Sequence, residues 1–128
     1  MDEHQHHEEL IQFLINEYQE VLANSEQDVY IYLDDQHKVC NEKFSSLLGY
    51  ESADEWATID TSFPETFVAD KSQEILITAY QDAMEKKIGS TNNITWKKKD
   101  GSTVDTQVIL VPIAHDGHLF ALHFVSNR

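Results

Sequence analysis

Apolar residues recur at spacings of three and four near the start of the chain. This period predicts an amphipathic helix with one buried face, which ends at Asn24-Ser25. Residues 1–9, which precede it, are polar and rich in histidine. The stripe on the helix consists of Ile11, Leu14, Tyr18 and Val21, and it is widened by Leu10, Phe13 and Leu22.

The next segment changes to β-branched and aromatic residues. Val29–Leu33 therefore predicts a strand, residues 34–37 a turn, and Lys38–Cys40 a short return strand. Asn41 can cap a following helix that carries Phe44, Leu47 and Leu48 and ends at Gly49.

Two pairs of polar residues have the spacing of capping boxes. Ser52 and Glu55 predict a short helix through Trp56, and Asp70 with Gln73 predicts a longer helix that ends at Gly89. Residues 57–69 between these helices predict irregular structure.

The last third of the chain predicts three strands separated by two Asp-Gly turns. The strands are Asn92–Lys99, Val104–Ile113 and Leu119–Val125. The complete order predicts an α+β domain, a five-stranded antiparallel sheet with helices on one face plus an N-terminal amphipathic helix. We divide the chain into residues 1–25, the polar tail and first helix, and residues 26–128, the domain.

Two of the strands are apolar on both faces, which requires cover on both faces of the sheet. Residues 119–125 and 108–111 show no alternation of apolar and polar positions. The middle helices can cover one face. The N-terminal helix or a partner chain must cover the other.

Composition narrows the class of protein. The 128 residues include 23 Asp and Glu against 9 Lys and Arg, a net charge of −14. This excess of acid argues against binding to nucleic acid or to an anionic membrane surface. The single Cys40 excludes an internal disulfide and a cysteine-based zinc finger. Without a membrane-spanning run or a signal peptide, the expected location is cytoplasmic.

Three motifs together resemble a PAS domain, a sensory module of signalling proteins, over about residues 26–128. They are Asn41-x-x-Phe44-x-x-Leu47-x-Gly49-Tyr50, Lys99-Asp100-Gly101-Ser102 before a strand ending Val111-Pro112-Ile113, and Asp116-Gly117 before the last strand. The resemblance implies a sheet that cups a small-molecule pocket, a homodimer and a signalling partner protein. Dimerisation through the first helix would use Leu10, Ile11, Leu14, Tyr18 and Val21, which could equally cover the sheet of their own chain.

The resemblance also bears on cofactors, and it leaves their identity open. Residues 57–67 lack the reactive cysteine of flavin-binding, light-sensing relatives, and Cys40 lies too early, where a small buried residue is the simpler interpretation. Residues 63–89 lack a histidine for haem. A photoactive flavin and a His-ligated haem are both disfavoured. For His4, His6 and His7 we prefer a flexible tail to a metal site.

Matching the motifs to the family predicts which residues line the pocket. We single out Trp96, Tyr80 and Thr106 for ligand contact, because each adds a polar group to an apolar wall. Ordinary core packing is the alternative for every apolar member of the set. The set is completed by Ile94, Val108, Leu110, Leu122, Phe124, Phe44, Leu48, Leu76 and Met84. The same matching places His123 and Asp105 on the outer face.

No motif indicates catalysis, so the expected function is a sensory or interaction module with no enzymatic activity. Two alternatives stay open. One is a ligand-free structural dimerisation module, and the other is a small enzyme on a cupped α+β scaffold, which would need a buried carboxylate or histidine in the cup. The end, Val125-Ser126-Asn127-Arg128, lacks the Asp-Ile-Thr string that leads into an effector in related receptors. It fits a stand-alone protein or a piece of a larger one.

Overall fold

A computed structural model describes residues 3–115 and 118–127 of the chain. In those two ranges the helices and strands follow the predicted order, with one additional short helix. The elements are α1 (Glu3–Asn24), β1 (Asp28–Asp34), β2 (His37–Cys40), α2 (Glu42–Leu47), α3 (Ala53–Thr58), α4 (Phe63–Phe67), α5 (Asp70–Lys86), β3 (Ser90–Lys97), β4 (Thr103–His115) and β5 (His118–Asn127).

The strands form one five-stranded antiparallel sheet in the order β2-β1-β5-β4-β3. The predicted fold class is therefore confirmed. The last strand in sequence, β5, is the central strand in space. It pairs with β1 on one side, where Tyr30 faces His123, and with β4 on the other, where Leu110 faces His123.

Each face of the sheet has its own apolar core. The inner core lies between the sheet and helices α2 to α5, and Phe44, Trp56 and Trp96 are fully buried in it. The outer core lies beneath α1, which buries Leu10, Leu14 and Leu22 against Ile31, Phe120 and other outer-face residues of the sheet. Helix α1 therefore supplies the second cover that the apolar strands require.

One buried side chain, Asn41, joins the start of β1 to the start of α2. Its Oδ1 accepts from the backbone N–H of Val29 at 3.1 Å and of Phe44 at 3.0 Å, the second bond being the predicted helix cap. Its Nδ2 donates to the backbone oxygen of Gln27 at 2.9 Å. A single amide thus satisfies three backbone groups, two of which, the N–H groups of Val29 and Phe44, belong to buried residues.

The ends of several helices differ from the sequence prediction. Helix α1 begins at Glu3 rather than Leu10, and α4 forms inside the segment predicted to be irregular. Helix α5 has Ala69 at its N-cap, and alanine has no side-chain oxygen to accept a cap bond. The Gln73 amide donates to the backbone oxygen of Val68 at 3.0 Å and to Asp70 Oδ1 at 3.2 Å. The helix ends at Lys86, and its C-cap Lys87 adopts a left-handed conformation, so the helix stops before Gly89.

The ends of the strands differ from the sequence prediction because backbone pairing, rather than the extent of the apolar run, determines them. β3 begins at Ser90 and ends at Lys97, where Lys98 enters the turn by donating to the backbone oxygen of Ser102. β4 and β5 extend beyond their apolar runs into paired polar residues, as between Gln107 and Ser126. The second Asp-Gly turn, Asp116-Gly117, lies outside the described residues.

We expect Asn41→Ala to lower the free energy of unfolding by about 2–4 kcal/mol, because it removes a cap and leaves buried backbone groups unpaired. Ser52→Ala is the matched control: Ser52 Oγ accepts only from Glu55 N among the described bonds, so its loss costs about 1 kcal/mol. Urea unfolding measures both. Equal losses in the two variants would contradict the joining role of Asn41.

Candidate functional site

A cavity of about 290 Å³ opens between helix α5 and the inner face of the sheet. Its wall is aromatic and apolar with a few polar atoms, which is typical of a small-molecule site. The strands contribute one side, α5 the opposite side, and the start of α4 one end. The lining residues are Tyr30, Tyr32, Phe63, Pro64, Leu76, Ile77, Tyr80, Gln81 and His123.

Two paired residues at the floor of the cavity carry unused polar atoms. The rings of Tyr30 and His123 stack at 4.0 Å between centroids, and both side chains are almost completely buried. Neither the Tyr30 hydroxyl nor His123 Nδ1 has a hydrogen-bond partner among the described residues. Buried polar atoms without partners are rare and unfavourable, so a group that bound both would gain their hydrogen bonds.

The other two tyrosines of the wall already have partners. The Tyr32 hydroxyl donates to Asp35 Oδ1 at 3.0 Å, and the Tyr80 hydroxyl makes a long 3.5 Å bond to the backbone oxygen of Leu33. The long Tyr80 bond is weak and can be exchanged for a ligand contact. Tyr80 therefore remains a candidate for ligand contact, as the sequence predicts.

Every titratable group of the wall is neutral near pH 7. Burial raises the pKa of Tyr30, Tyr32 and Tyr80. Burial also lowers the pKa of His123 to about 3, since a charged imidazole would lose its hydration there. None of the lining residues is an acid, a lysine or an arginine. The site has no charge with which to bind an ion.

The structure divides the predicted pocket residues into three groups. Leu76 and Tyr80 line the cavity. The second group lies beside it in close-packed core, where Phe44, for example, has no exposed surface. This group comprises Phe44, Leu48, Ile94, Trp96, Thr106, Val108, Leu110 and Met84, of which Met84 is only partly buried.

Trp96 and Thr106 satisfy each other's polar groups. Trp96 Nε1 donates to Thr106 Oγ1 at 2.8 Å, and that hydroxyl donates to the backbone oxygen of Ile94 at 2.8 Å. The pair forms an internal bridge between β3 and β4 and is absent from the cavity wall. Their predicted ligand contact therefore has no support in the geometry.

The third group, Leu122 and Phe124, lies on the opposite face of the sheet, so the predicted facing of β5 is wrong. Both pack in the outer core with α1, and His123, predicted to face outward, lies in the cavity. The physical reason is that β5 is central and covered on both faces, so its pattern carries no alternation from which to determine the facing. Asp105 is exposed on the outer face, where it was predicted.

Sequence reasoning missed most of the cavity wall. Tyr30 and Tyr32 share one parity of β1, while Val29, Ile31 and Leu33 share the other. This separation of amphipathic tyrosines from aliphatic residues was an available signal for the inner face. Phe63 and Pro64 could not be found from the pattern, because their short helix was predicted to be irregular.

The predicted residues of the first helix are only partly described. Leu10 and Leu14 are buried against the sheet of their own chain, and Ile11 packs partly buried beside them. The side chains of Tyr18 and Val21 lie outside the described residues, as do those of His4, His6 and His7.

The described part of the chain contains neither a metal-binding cluster nor a thiol of lowered pKa. No group of three or more metal-ligating residues occurs there. Cys40 is buried, which raises the pKa of its thiol. No helix in residues 3–115 or 118–127 is long and apolar enough to cross a membrane.

Comparison with solved structures identifies the architecture. A PAS domain of a protein from Colwellia psychrerythraea matches with a TM-score of 0.69 and 16% identity, over 90% of this chain and 97% of that one. A PAS domain of a two-component sensor histidine kinase gives 0.65 and 12%, over 94% and 99%. The PAS-B domain of Drosophila melanogaster Cycle, solved with bound ethylene glycol, gives 0.64 and 12%, over 79% and 99%. No protein-family model and no curated protein matches the chain.

The buried His123 predicts a pH-dependent stability. Its pKa is about 3 in the folded protein and near 6.5 when exposed, so below pH 6.5 the unfolded chain binds a proton that the folded chain excludes. As the pH is lowered from 6.5 to 3, this residue alone should therefore reduce the free energy of unfolding by about 1.4 kcal/mol per pH unit. His123→Phe and His123→Gln should both lose that component.

Urea unfolding between pH 7 and pH 4 on the three proteins measures the component. The carboxylates titrate similarly in all three, so their contribution cancels in the difference. Parallel pH profiles for the parent protein and both variants would contradict the buried neutral state of His123.

Proposed function

Because the chain has the PAS fold that its motifs predicted, we propose that it is a sensory module that binds a small molecule and relays the bound state through dimer contacts. The observation that carries the proposal is the pair of unpartnered polar atoms, on Tyr30 and His123, in residues that line an apolar cavity. The PAS domain of a two-component sensor histidine kinase has the same fold, which supports a role in signalling.

The wall favours an uncharged, flat and mostly apolar ligand with one or two polar atoms. A carboxylate or an ammonium group would lose its hydration without meeting an opposite charge. The Tyr30 hydroxyl can donate and accept, and neutral His123 Nδ1 can do either according to tautomer. A ligand hydroxyl or carbonyl is therefore the matching group, with an aromatic body against Phe63 and Tyr80.

The position of β5 supports a relay from the cavity to the outside of the sheet. His123 faces the cavity, whereas its neighbours Leu122 and Phe124 face the outer core beneath α1. A ligand that moves His123 also moves the backbone that carries these two residues. The bound and free states would then differ in how α1 packs on the sheet. A ligand shifts the population of two states only if it interacts differently with them, and this difference in packing would accompany such a shift.

The composition of the same cavity bears on the two alternative functions. A ligand-free dimerisation module would leave the buried Tyr30 hydroxyl without a hydrogen bond. The enzyme alternative needs a histidine or carboxylate in the cup, and His123 meets that condition. However, a pKa of about 3 makes His123 a poor general base near neutral pH, and no carboxylate lines the cavity.

We expect Tyr30→Phe to weaken ligand binding without loss of fold, because it removes the unpartnered hydroxyl and keeps the stacked ring. Phenol and benzoate are the probes, matched in size and different in charge, and amide NMR shifts are the readout. Phenol should perturb the amides of Tyr30 and His123 saturably, and benzoate should not. Tyr30→Phe should weaken phenol binding about tenfold, the value of roughly one hydrogen bond.

Tyr50→Phe is the control, since Tyr50 is also a buried tyrosine and does not line the cavity. It should leave phenol binding unchanged. Native mass spectrometry of the full chain from its own host tests for a retained ligand directly. If no retained mass is found and phenol produces no response at the cavity, the ligand-free dimerisation module is favoured.

The dimer contact that we propose uses the part of the outer sheet face that α1 leaves uncovered. Ile109 is 40% exposed there, directly opposite the half-buried Phe124 of β5 and beside the half-buried Val111. A second copy could extend the outer core by covering these side chains.

Ile109→Glu should shift sedimentation equilibrium from dimer to monomer, because it would bury a charge in the proposed contact. Ile88→Glu is the control at a more exposed isoleucine on the inner side of the β3 edge, and it should leave the dimer intact. Dissociation by both variants, or by neither, would refute this contact.

A further inference from the structure

One edge of the sheet is only half covered. The backbone of Thr95 in β3 points away from β4: its oxygen accepts from Ala69 N at 2.9 Å and its N–H donates to Ser72 Oγ at 2.9 Å. In an antiparallel pair such outward groups recur at every second residue. Thr91 and Asn93 therefore present their N–H and C=O groups to the same edge, and no described residue bonds them.

The opposite edge of the sheet is flanked by helix α3. There β2 is held against α3 by the buried Lys38 side chain, whose Nζ donates to the backbone oxygens of Asp35, Ala57 and Ile59. Proteins usually protect an open edge with lysine, proline or a bulge. Residues 90–94 contain no lysine or proline, and their pairing with β4 runs without a register shift.

An apolar groove runs alongside the open edge, between it and helix α5. Ile75 and Ile88 lie in its wall and are 46% and 51% exposed, the largest values among the exposed bulky apolar residues described. Ala79 forms part of its floor. A strand added beside Thr91 and Asn93 would direct every second side chain to this inner side of the sheet, where the two isoleucines could cover it.

The charge of the groove favours a partner segment of opposite charge. Its charged side chains are Lys71, Glu74 and Asp82, so acids outnumber bases, in a chain whose net charge is −14. A second copy would bring a second charge of −14 to the same edge. A positively charged segment of another protein would be attracted instead.

We propose that the β3 edge at Thr91 and Asn93 is a docking site for an extended segment of a partner protein, apolar at alternate positions and basic at the others. The partner adds a sixth strand to the sheet. Backbone hydrogen bonds to Thr91 and Asn93 hold it, and its apolar side chains enter the groove beside Ile75 and Ile88. This site is separate from the cavity and does not depend on ligand binding.

The test uses the full chain and a short capped peptide in which valine and lysine alternate. Amide hydrogen exchange followed by NMR is the readout. Bound peptide should slow exchange at Thr91 and Asn93 about tenfold or more, while amides of β2 stay unchanged. A peptide of alternating valine and glutamate, and a valine–lysine peptide with methylated backbone nitrogens, should both fail to protect these amides.

Two protein variants separate the backbone contact from the groove. Thr91→Pro removes one edge N–H and should weaken binding about tenfold, whereas Thr91→Ala keeps that N–H and should bind like the parent. Ile88→Gln makes the groove less apolar without adding a charge or touching the strand hydrogen bonds, and it should also weaken binding. Ile109→Glu, on the outer face, should have no effect.

Three results would overturn the proposal. The first is equal binding of the methylated and unmethylated peptides. The second is unchanged affinity in both Thr91→Pro and Ile88→Gln. The third is protection of Thr91 and Asn93 that rises with protein concentration without peptide, which would assign the edge to a second copy. Phenol binding at the cavity is measured separately, so failure here leaves the proposed sensory function standing.

Discussion

The antiparallel pairing of β1 with β5 is the constraint on which the rest of this structure depends. It joins the two halves of the sheet and places Tyr30 opposite His123 and Val29 opposite Phe124. The first pair faces α5 and forms the floor of the cavity, and the second faces α1 and belongs to the outer core. A shift of one residue in the register between β1 and β5 would exchange the two faces of the strand. It would remove both the cavity floor and the apolar surface on which α1 packs.

Local chemistry explains which features of the fold could be predicted from the sequence. Asn41 and Ser52 cap their helices as predicted, because their oxygens need only a backbone N–H three residues ahead. Gly49 has the positive φ that ends a helix. The end of α5 was not predictable in this way. Lys87 takes the left-handed position, and Gly89 instead lies where a Cβ would approach the backbone oxygen of Leu110 to 3.2 Å.

The candidate site depended on facts that exist only after the sheet has assembled. The facing of β5 could not be read from its apolar run, because α1 and α5 cover both of its faces. The polar groups of Trp96 and Thr106 suggest ligand contact from the sequence alone, whereas in the folded protein they form a hydrogen bond with each other. Whether a buried polar atom has a partner is a property of the tertiary arrangement, and the sequence pattern does not contain it.

The central place of β5 also has a consequence for the order in which the fold can form. β1 with β2, and β3 with β4, are neighbours in sequence and can pair as local hairpins. The two hairpins have no contact in the sheet order until β5, the last strand to leave the ribosome, lies between them. Its pairs with β1 join residues as far apart as Asp28 and Val125, so loop closure makes this step slow. Until then, both hairpins expose the strand edges that β5 will occupy, and a nascent chain at this stage is open to aggregation and to chaperone binding.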